Sequence, residues 1–510
     1  MTHPTVFAQT MPDRAAVIMA ESGKTLTYAE LEARSNQTAH LLRSLGLKRG
    51  DCVAAMLDNT PEMFDLAWAA QRAGLYFTAI STRLTAGEAD YIIRDSNARA
   101  FFASAKVGPV VDALATGLGD LPMFMTSPAH GPFASWEEAI SGLPTTPIAD
   151  QSSGELMLYS SGTTGRPKGV KRALTDDDIL KLPVMVMLLT DIYGATSDSV
   201  YLCPAPLYHA APLGWTMMCH RLGMTVVVME KFDAETVLLL VERYGVTHGQ
   251  FVPTHFTRML KLPDAVRSRY DLSSLKAVVH AAAPCPIPVK VAMMEWWGPI
   301  LHEYYAATEG NGFTAIGPEE WMRKKGSVGR AMGCQIHACD EEGDPLPANQ
   351  TGKIFFAGGA TFEYHNDPVK TAETFNKHGW STLGDVGHLD EDGYIFLTDR
   401  ATFMIITGGV NVYPQEIENL LVTHPRVMDV AVIGAPDEEM GEKVVAVIQP
   451  VDMAEAGPAL AEELRAFCRA SLSGVKVPRQ FDFTEELPRH PTGKLYKRLL
   501  RDRYWGKAPA

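Results

Sequence analysis

Between residues 159 and 170 the chain reads Tyr159-Ser160-Ser161-Gly162-Thr163-Thr164-Gly165-Arg166-Pro167-Lys168-Gly169-Val170. Glycines let backbone N–H groups come close to phosphate oxygens, the Ser and Thr hydroxyls add donors, and Lys168 adds charge. The string is not a GxxxxGK[ST] loop, because Gly169 follows Lys168 where a magnesium-binding hydroxyl would stand, and the chain has no GxGxxG fingerprint. Composition alone fits a hydroxyl-rich surface loop equally well. Other segments carry reactive groups: Tyr208-His209, Tyr304-Tyr305-Ala306-Ala307-Thr308-Glu309, Ser381-Thr382-Leu383-Gly384-Asp385 and Pro491-Thr492-Gly493-Lys494. Taken singly, each is ordinary. Asp385 follows a glycine as in many turns, Glu309 reads as a surface carboxylate, and Lys494 opens a basic tail.

Positioning these groups requires regular elements. Leu156–Tyr159 predicts a strand running into the glycine-rich loop. The apolar run Cys52–Leu57, a helix start at Thr60 with Pro61 in the first turn, helical spacing over 62–72 and a strand over 75–80 make a βαβ unit. Such units favour parallel sheets covered by helices. Similar apolar runs stand at 225–229, 276–280 and 427–433. The fold class is α/β, with a large N-terminal part of several subdomains (1–399) and a small α+β C-terminal part (400–510). In the latter the pattern is strand, Gly408-Gly409, a helix over 414–424, a strand and a final helix.

Composition bounds the function. The 510 residues are 46% apolar and 21% charged, which supports a large folded core. Forty-six Lys plus Arg against 60 Asp plus Glu give a formal net charge of −14. That balance argues against nucleic acid or an anionic membrane as partner, although local cations can still hold a small anion. Seven cysteines without a Cys-x-x-Cys pair argue against a disulfide framework or a zinc site. No secretory leader and no apolar run of 18 residues is read, so a cytoplasmic protein without an integral membrane segment is expected.

The ordered string at 159–170 resembles the phosphate-binding signature of the adenylate-forming superfamily, which includes acyl-CoA synthetases, luciferases and peptide-synthetase adenylation domains. Further resemblances follow in the family's order along nearly the whole chain. Tyr208-His209 is similar to its aromatic-His motif, Tyr304–Glu309 to its Tyr-Gly-x-Thr-Glu segment, and Ser381–Asp385 to its Thr-Gly-Asp turn. Asp399-Arg400 with Ile405–Pro414 resembles its hinge and glycine turn, and Pro491–Lys494 its C-terminal Pro-x-Gly-Lys loop. Three positions depart from the pattern: Ala306 replaces a usual glycine, Leu383 a frequent threonine, and Thr402 a hinge Asp or Lys.

The resemblance implies roles. Ser160, Ser161, Gly162, Thr163, Thr164, Gly165 and Lys168 would hold ATP phosphates, Tyr305 would pack on adenine, and Asp385 with Arg400 would hold the ribose. Thr308 would touch the α-phosphate, Glu309 would bind Mg²⁺, and Lys494 would bridge the α-phosphate and the substrate carboxylate. Rotation of the small domain about Thr402 would then bring Gly408 and Gly409 beside a pantetheine channel, with His209 controlling access. Ala211, Trp215, His280, Ala281, Ala282, Ala283, Tyr304, Ala306 and Ala307 would line the acyl pocket.

The expected activity is an ATP- and Mg²⁺-dependent, AMP-forming acyl-CoA synthetase, using CoA and a hydrophobic carboxylic acid, aryl or medium to long acyl. The alternatives are a ligase that loads a carrier protein, disfavoured because no carrier domain follows Trp505, and a non-catalytic nucleotide sensor, which would not need Lys494. A homodimer is a family-level expectation.

Overall fold

The computed structural model describes residues 2–160, 167–489 and 495–506. The chain divides into two compact units. One comprises Met1–Gln250, Tyr270–Val278 and Thr361–Ala372, the other Phe251–Arg269, Val279–Ala360 and Glu373–Ala510.

In the first unit the expected βαβ element is present as the strand Cys52–Met56, the helix Glu62–Arg72 and the strand Tyr76–Ala79, paired in parallel. They belong to a six-stranded sheet whose described pairings are all parallel. All five residues of Cys52–Met56 are buried, as strands covered on both faces require. The helix does not start on a Thr60 cap. Pro61 already has helical angles (φ −56°, ψ −33°), and the Thr60 hydroxyl donates instead to the Glu62 carboxylate. Proline's fixed φ opens the first turn by itself. A second sheet of this unit runs Ala15–Met19, Thr225–Val228, Val200–Cys203 and His248–Phe251 in parallel, with Thr25–Thr27 antiparallel at the edge.

The strand expected over 156–159 is divided. Glu155–Leu156 completes the parallel sheet beside Tyr76 and Phe77, whereas Leu158–Ser160 enters a small antiparallel sheet with Lys168–Lys171 and Glu363–Tyr364. The break falls at Met157, whose N–H donates to the Phe77 carbonyl and whose carbonyl accepts the Thr78 hydroxyl.

In the second unit Leu301–Ala306, Phe313–Ile316 and Arg330–Ala331 are antiparallel. A four-stranded antiparallel sheet follows in the order Gln335–Cys339, Gly352–Ala357, Ser381–Leu389, Ile395–Arg400. The C-terminal part is a five-stranded sheet built on the long hairpin Val427–Asp437 and Gly441–Pro450. Along that hairpin alternate residues take opposite faces. Val430, Val432, Ala446 and Ile448 pack with Ile417, Leu421, Leu460 and Leu464, while Ala431, Ile433, Val445 and Val447 pack with Leu500. The helix expected over 414–424 ends at Leu421, and Gly441–Pro450, Gln480–Phe483 and the helix Pro458–Arg469 add to the elements read from sequence. No helix among the described residues is long and apolar enough to cross a membrane.

Candidate functional site

The sequence-predicted groups fall into four local settings. The first is the hairpin that flanks the glycine-rich loop. Ser160 ends one strand and lies opposite Lys168, which starts the next; Gly169 lies opposite Tyr159. The Lys168 ammonium lies 5.3 Å from the centre of the Tyr364 ring. Ser161, Gly162, Thr163, Thr164 and Gly165 lie outside the described residues, as does Lys494.

The second setting is polar and lies within the second unit. Strand pairing places Asp385 directly across from Arg400. One Asp385 oxygen accepts the Arg400 Nε–H at 3.1 Å, and the other accepts the Tyr305 phenol at 2.6 Å. Tyr305 comes from the end of Leu301–Ala306, with its ring 5.7 Å from that of Phe356. Burial, then the Asp385 charge, pushes its phenol well above its ordinary pKa. Thr308 and Glu309 follow this strand, Thr308 half-buried and Glu309 buried. Sequence reasoning missed Asn311, which is 1% exposed and donates to the Ser381 hydroxyl at 2.8 Å, tying the Glu309 segment to the strand that carries Asp385. Its position in a Gly-Asn-Gly turn reads as solvent-facing, so no sequence signal marks it.

The third setting is the predicted hinge. Asp399 accepts the N–H of Arg400 at 2.7 Å and that of Gln415 at 3.0 Å, so its carboxylate caps the helix Pro414–Leu421. Thr402 is exposed in the turn Ala401–Phe403. Gly408 and Gly409 link the hairpin Ile405–Thr407 and Val410–Val412 with φ of 56° and 78°, a pair of left-handed positions typical of tight hairpin turns. A Cβ on Gly408 would stand 2.4 Å from Met440 Cε, whereas one on Gly409 would meet nothing within 4 Å.

The fourth group comprises the predicted acyl-side residues, which are distributed over both units. In the first, His209 precedes the helix Ala210–Arg221, its ring 4.5 Å from that of buried Tyr208. Ala211 and Trp215 lie on that helix, and Trp215 packs 5.5 Å from Tyr193. In the second, Tyr304 stacks on Phe313 at 5.3 Å, and Ala306 and Ala307 are half-buried beside it in sequence. Ala281 is buried and Ala283 half-buried, while Ala282 has φ 75°, a left-handed conformation uncommon outside glycine.

His280 has a different environment from a pocket wall. Its ring is fully buried, with Nε2 3.5 Å from the Glu303 carboxylate and its edge against Phe256 at 5.5 Å. Glu303 pairs at 2.6 Å with Lys290, itself buried and 4.5 Å from the centre of the Trp321 ring. Burial, then the Lys290 charge, holds the His280 imidazole well below its ordinary pKa, and burial raises the Glu303 carboxyl.

An aromatic ring, a carboxylate whose two oxygens are held by a phenol and a guanidinium, and that guanidinium itself form a suitable receptor for a nucleoside. A hydroxyl- and glycine-rich sequence followed by a lysine suits its phosphates. The comparisons agree. The AMP-binding enzyme family matches residues 5–364, and the AMP-binding enzyme C-terminal domain matches 416–494. The feruloyl-CoA synthase of an Amycolatopsis species is 34% identical, covering 96% of both chains. The fatty acid–[acyl-carrier-protein] ligase ScoC of Streptomyces coeruleorubidus is 32% identical, covering 98% of this chain and 95% of its own. Among solved structures, ATP-bound MatB from Rhodopseudomonas palustris superposes with a TM-score of 0.82 at 29% identity, over 99% of each chain. The chain belongs to the AMP-binding enzymes of the adenylate-forming superfamily and is an AMP-forming acid–thiol ligase.

Proposed function

We propose that the chain is an ATP- and Mg²⁺-dependent acyl-CoA synthetase for a hydrophobic carboxylic acid, aryl or medium to long acyl. The observation that carries this reading is the Tyr305–Asp385–Arg400 constellation. Its pieces come from three separated segments, and its chemistry suits an adenosine. The substrate carboxylate attacks the α-phosphorus of ATP, forming an acyl-adenylate and releasing pyrophosphate. A thiolate then attacks the acyl carbon and AMP departs. Both steps bring anions together, so the protein's contribution is positioning and charge neutralisation.

In this reading Ser160–Gly165 and Lys168 hold the β- and γ-phosphates, and Tyr305 covers adenine. Asp385 exchanges its phenol and guanidinium partners for the ribose hydroxyls, and Thr308 meets the α-phosphate. Lys494 bridges that phosphate and the carboxylate. Glu309 fits Mg²⁺, which commonly takes one or two carboxylates with phosphate oxygens and water rather than an all-protein cage. It is a buried carboxylate, and no cluster of three or more acidic, His or Cys groups stands around it among the described residues. Bound there, Mg²⁺ would neutralise phosphate charge. Residues 1–399 form the nucleotide- and acid-binding part and 400–510 a lid that turns about Thr402, taking Lys494 away and bringing in Gly408 and Gly409. His209 separates the acyl and thiol routes, and Ala211, Trp215, Ala281–Ala283, Tyr304, Ala306 and Ala307 border the acid. The seven free cysteines suit a reducing cytoplasm.

Purified protein given ATP, Mg²⁺, CoA and a panel of aryl, medium-chain and long-chain acids is expected to release AMP and form a thioester with at least one. Release of ADP sinks the mechanism. The relationship to ScoC supports a second reading, transfer to a carrier-protein thiol; replacing CoA with a phosphopantetheinylated carrier in the same assay distinguishes the acceptors. Lys494→Ala should abolish acid-dependent ATP–pyrophosphate exchange while sparing thioester formation from preformed acyl-AMP. Equal loss in both assays excludes the role given to Lys494.

A further inference from the structure

The three strands around the phosphate-binding loop share one attachment point in the first unit, and it is an aspartate that no motif includes. Asp95 is the last residue of the helix Ala86–Asp95. An acid in that position faces the negative end of the helix dipole, so the helix itself gains nothing from it. Its surroundings explain it better. The Tyr159 phenol, on the strand entering the loop, donates to Asp95 Oδ2 at 2.6 Å, a short charge-assisted bond. The Asn366 amide, just beyond the strand Glu363–Tyr364, donates to the Asp95 carbonyl at 3.0 Å. Asn366 holds a left-handed φ of 57°, and its neighbour His365 donates its N–H to the Gly169 carbonyl at 2.8 Å.

The strand leaving the loop is fixed by contact. Gly169 lies opposite Tyr159, and a Cβ there would stand 2.9 Å from Tyr159 Cζ, so the missing side chain is what lets the phenol lie across the hairpin toward Asp95. The same ring packs against the core cluster that contains Ile92 and Ile93. Lys168 is the next residue along, opposite Ser160 and over the Tyr364 ring. All three strands that set the direction of Lys168 are therefore held to one carboxylate-bearing helix end.

We propose that Asp95, through the bond of its carboxylate to Tyr159, is a positioning residue for the phosphate-binding hairpin and so sets the affinity for the ATP polyphosphate. The proposal rests on the reading of Lys168 as a phosphate ligand. Asp95 touches no reacting atom. Its loss should weaken ATP binding and leave the acid site and the thiol half-reaction intact, because thioester formation from acyl-AMP involves no β- or γ-phosphate. Burial and the Asp95 charge also raise the Tyr159 phenol pKa, in keeping with a permanently protonated donor.

The test uses the full-length enzyme with Tyr159→Phe, Asp95→Leu, Asp95→Asn and the double variant Tyr159→Phe/Asp95→Leu. A hydrogen bond to a charged acceptor is worth a factor of about ten. Tyr159→Phe and Asp95→Leu are each expected to raise Kd for ATP, read by calorimetry, and KM for ATP by about that factor. KM for the acid and the rate from preformed acyl-AMP should stay within about twofold. Asp95→Asn, which keeps an acceptor, should recover part of the loss. The double variant should be no worse than the poorer single one, the mark of one shared interaction. ATP affinity unchanged in both single variants overturns the proposal. So does a parallel loss of ATP affinity, acid KM and melting temperature, which would mark general destabilisation. Absence of ATP binding by the unaltered enzyme overturns the phosphate reading itself and the anchor with it, whereas normal binding there with unaffected variants overturns the anchor alone.

Discussion

At the scale of single residues, the second unit contains two polar clusters of opposite kind. Asp385 is buried between the Tyr305 phenol and the more exposed Arg400 guanidinium; Glu303 is locked against Lys290 and His280 with almost no exposure. Breaking a buried pair on one side costs about 3–5 kcal/mol, because the remaining charge has no solvent, whereas replacing both partners with apolar groups of similar size is often neutral. Glu303→Leu should therefore destabilise the protein by that amount in urea unfolding, and Lys290→Met with Glu303→Leu should regain most of it. A double variant as unstable as the single one would contradict this account. These clusters also show what the sequence discloses. Asp385, Arg400 and Tyr305 were legible because their neighbours form ordered motifs. His280 was grouped with the alanines that follow it, and the structure turns its ring into the Glu303 cluster. All four residues of Ala277–His280 are buried, so two-residue alternation carried no information about which face the ring takes.

At the scale of elements, His220 joins three of them. It lies on the helix Ala210–Arg221, its Nδ1 accepts the indole N–H of Trp68 from the helix Glu62–Arg72 at 3.3 Å, and its Nε2 reaches the carbonyl of Ala16, on the strand Ala15–Met19, at 3.2 Å. The indole donor fixes Nε2 as the protonated nitrogen. Burial lowers the imidazole to about 4, against about 6.5 in an unfolded chain. The unfolded chain therefore takes up a proton that the native state refuses. Stability should be complete above pH 6.5 and fall as pH drops toward 4, by roughly 3 kcal/mol from this group. The slope of unfolding free energy over pH 4–6.5 should flatten in His220→Gln; an unchanged slope would remove His220 as its source. Elements were legible where periodicity was strong, as in 52–56, 62–72 and 76–79. The division at Met157 was not, because the run Leu156–Tyr159 shows no breaker and the change of sheet depends on Phe77 and Thr78, distant in sequence. The additional C-terminal strands escaped for the same reason: the middle of Gly441–Pro450, residues 444–448, is buried on both faces by partners from several separate segments.

At the scale of the whole molecule, the net charge of −14 coexists with the binding of polyanions because affinity is decided locally. One cation illustrates a second use. Lys261, following the helix Pro253–Leu260, donates to the carbonyl of Val427, at the start of the long C-terminal hairpin. Burial lowers its ammonium to about 8, with Asp429 opposing the fall. Near pH 7 the contact is charged, and by pH 9 the folded protein has released the proton. If the C-terminal part acts as the proposed lid and this contact biases it, the ratio of ATP–pyrophosphate exchange to thioester formation should change across pH 8 in the native enzyme and stay level in Lys261→Met. The same pH dependence in both would exclude Lys261.

Asp399 and Arg400 are consecutive, yet the first caps the helix Pro414–Leu421 and the second holds Asp385. A nucleotide that claims the Asp385 oxygens competes with that guanidinium, so occupancy of the site and the strength of this strand-to-strand contact are thermodynamically linked. Reciprocity then applies: any rearrangement of the 400–403 turn that draws Arg400 away by a given free energy alters nucleotide affinity by the corresponding factor, and the nucleotide shifts the turn equally in return. If Asp385 holds the nucleotide and the C-terminal part turns at this junction, as proposed above, these two neighbouring side chains make departure of AMP and that turn a single coupled equilibrium.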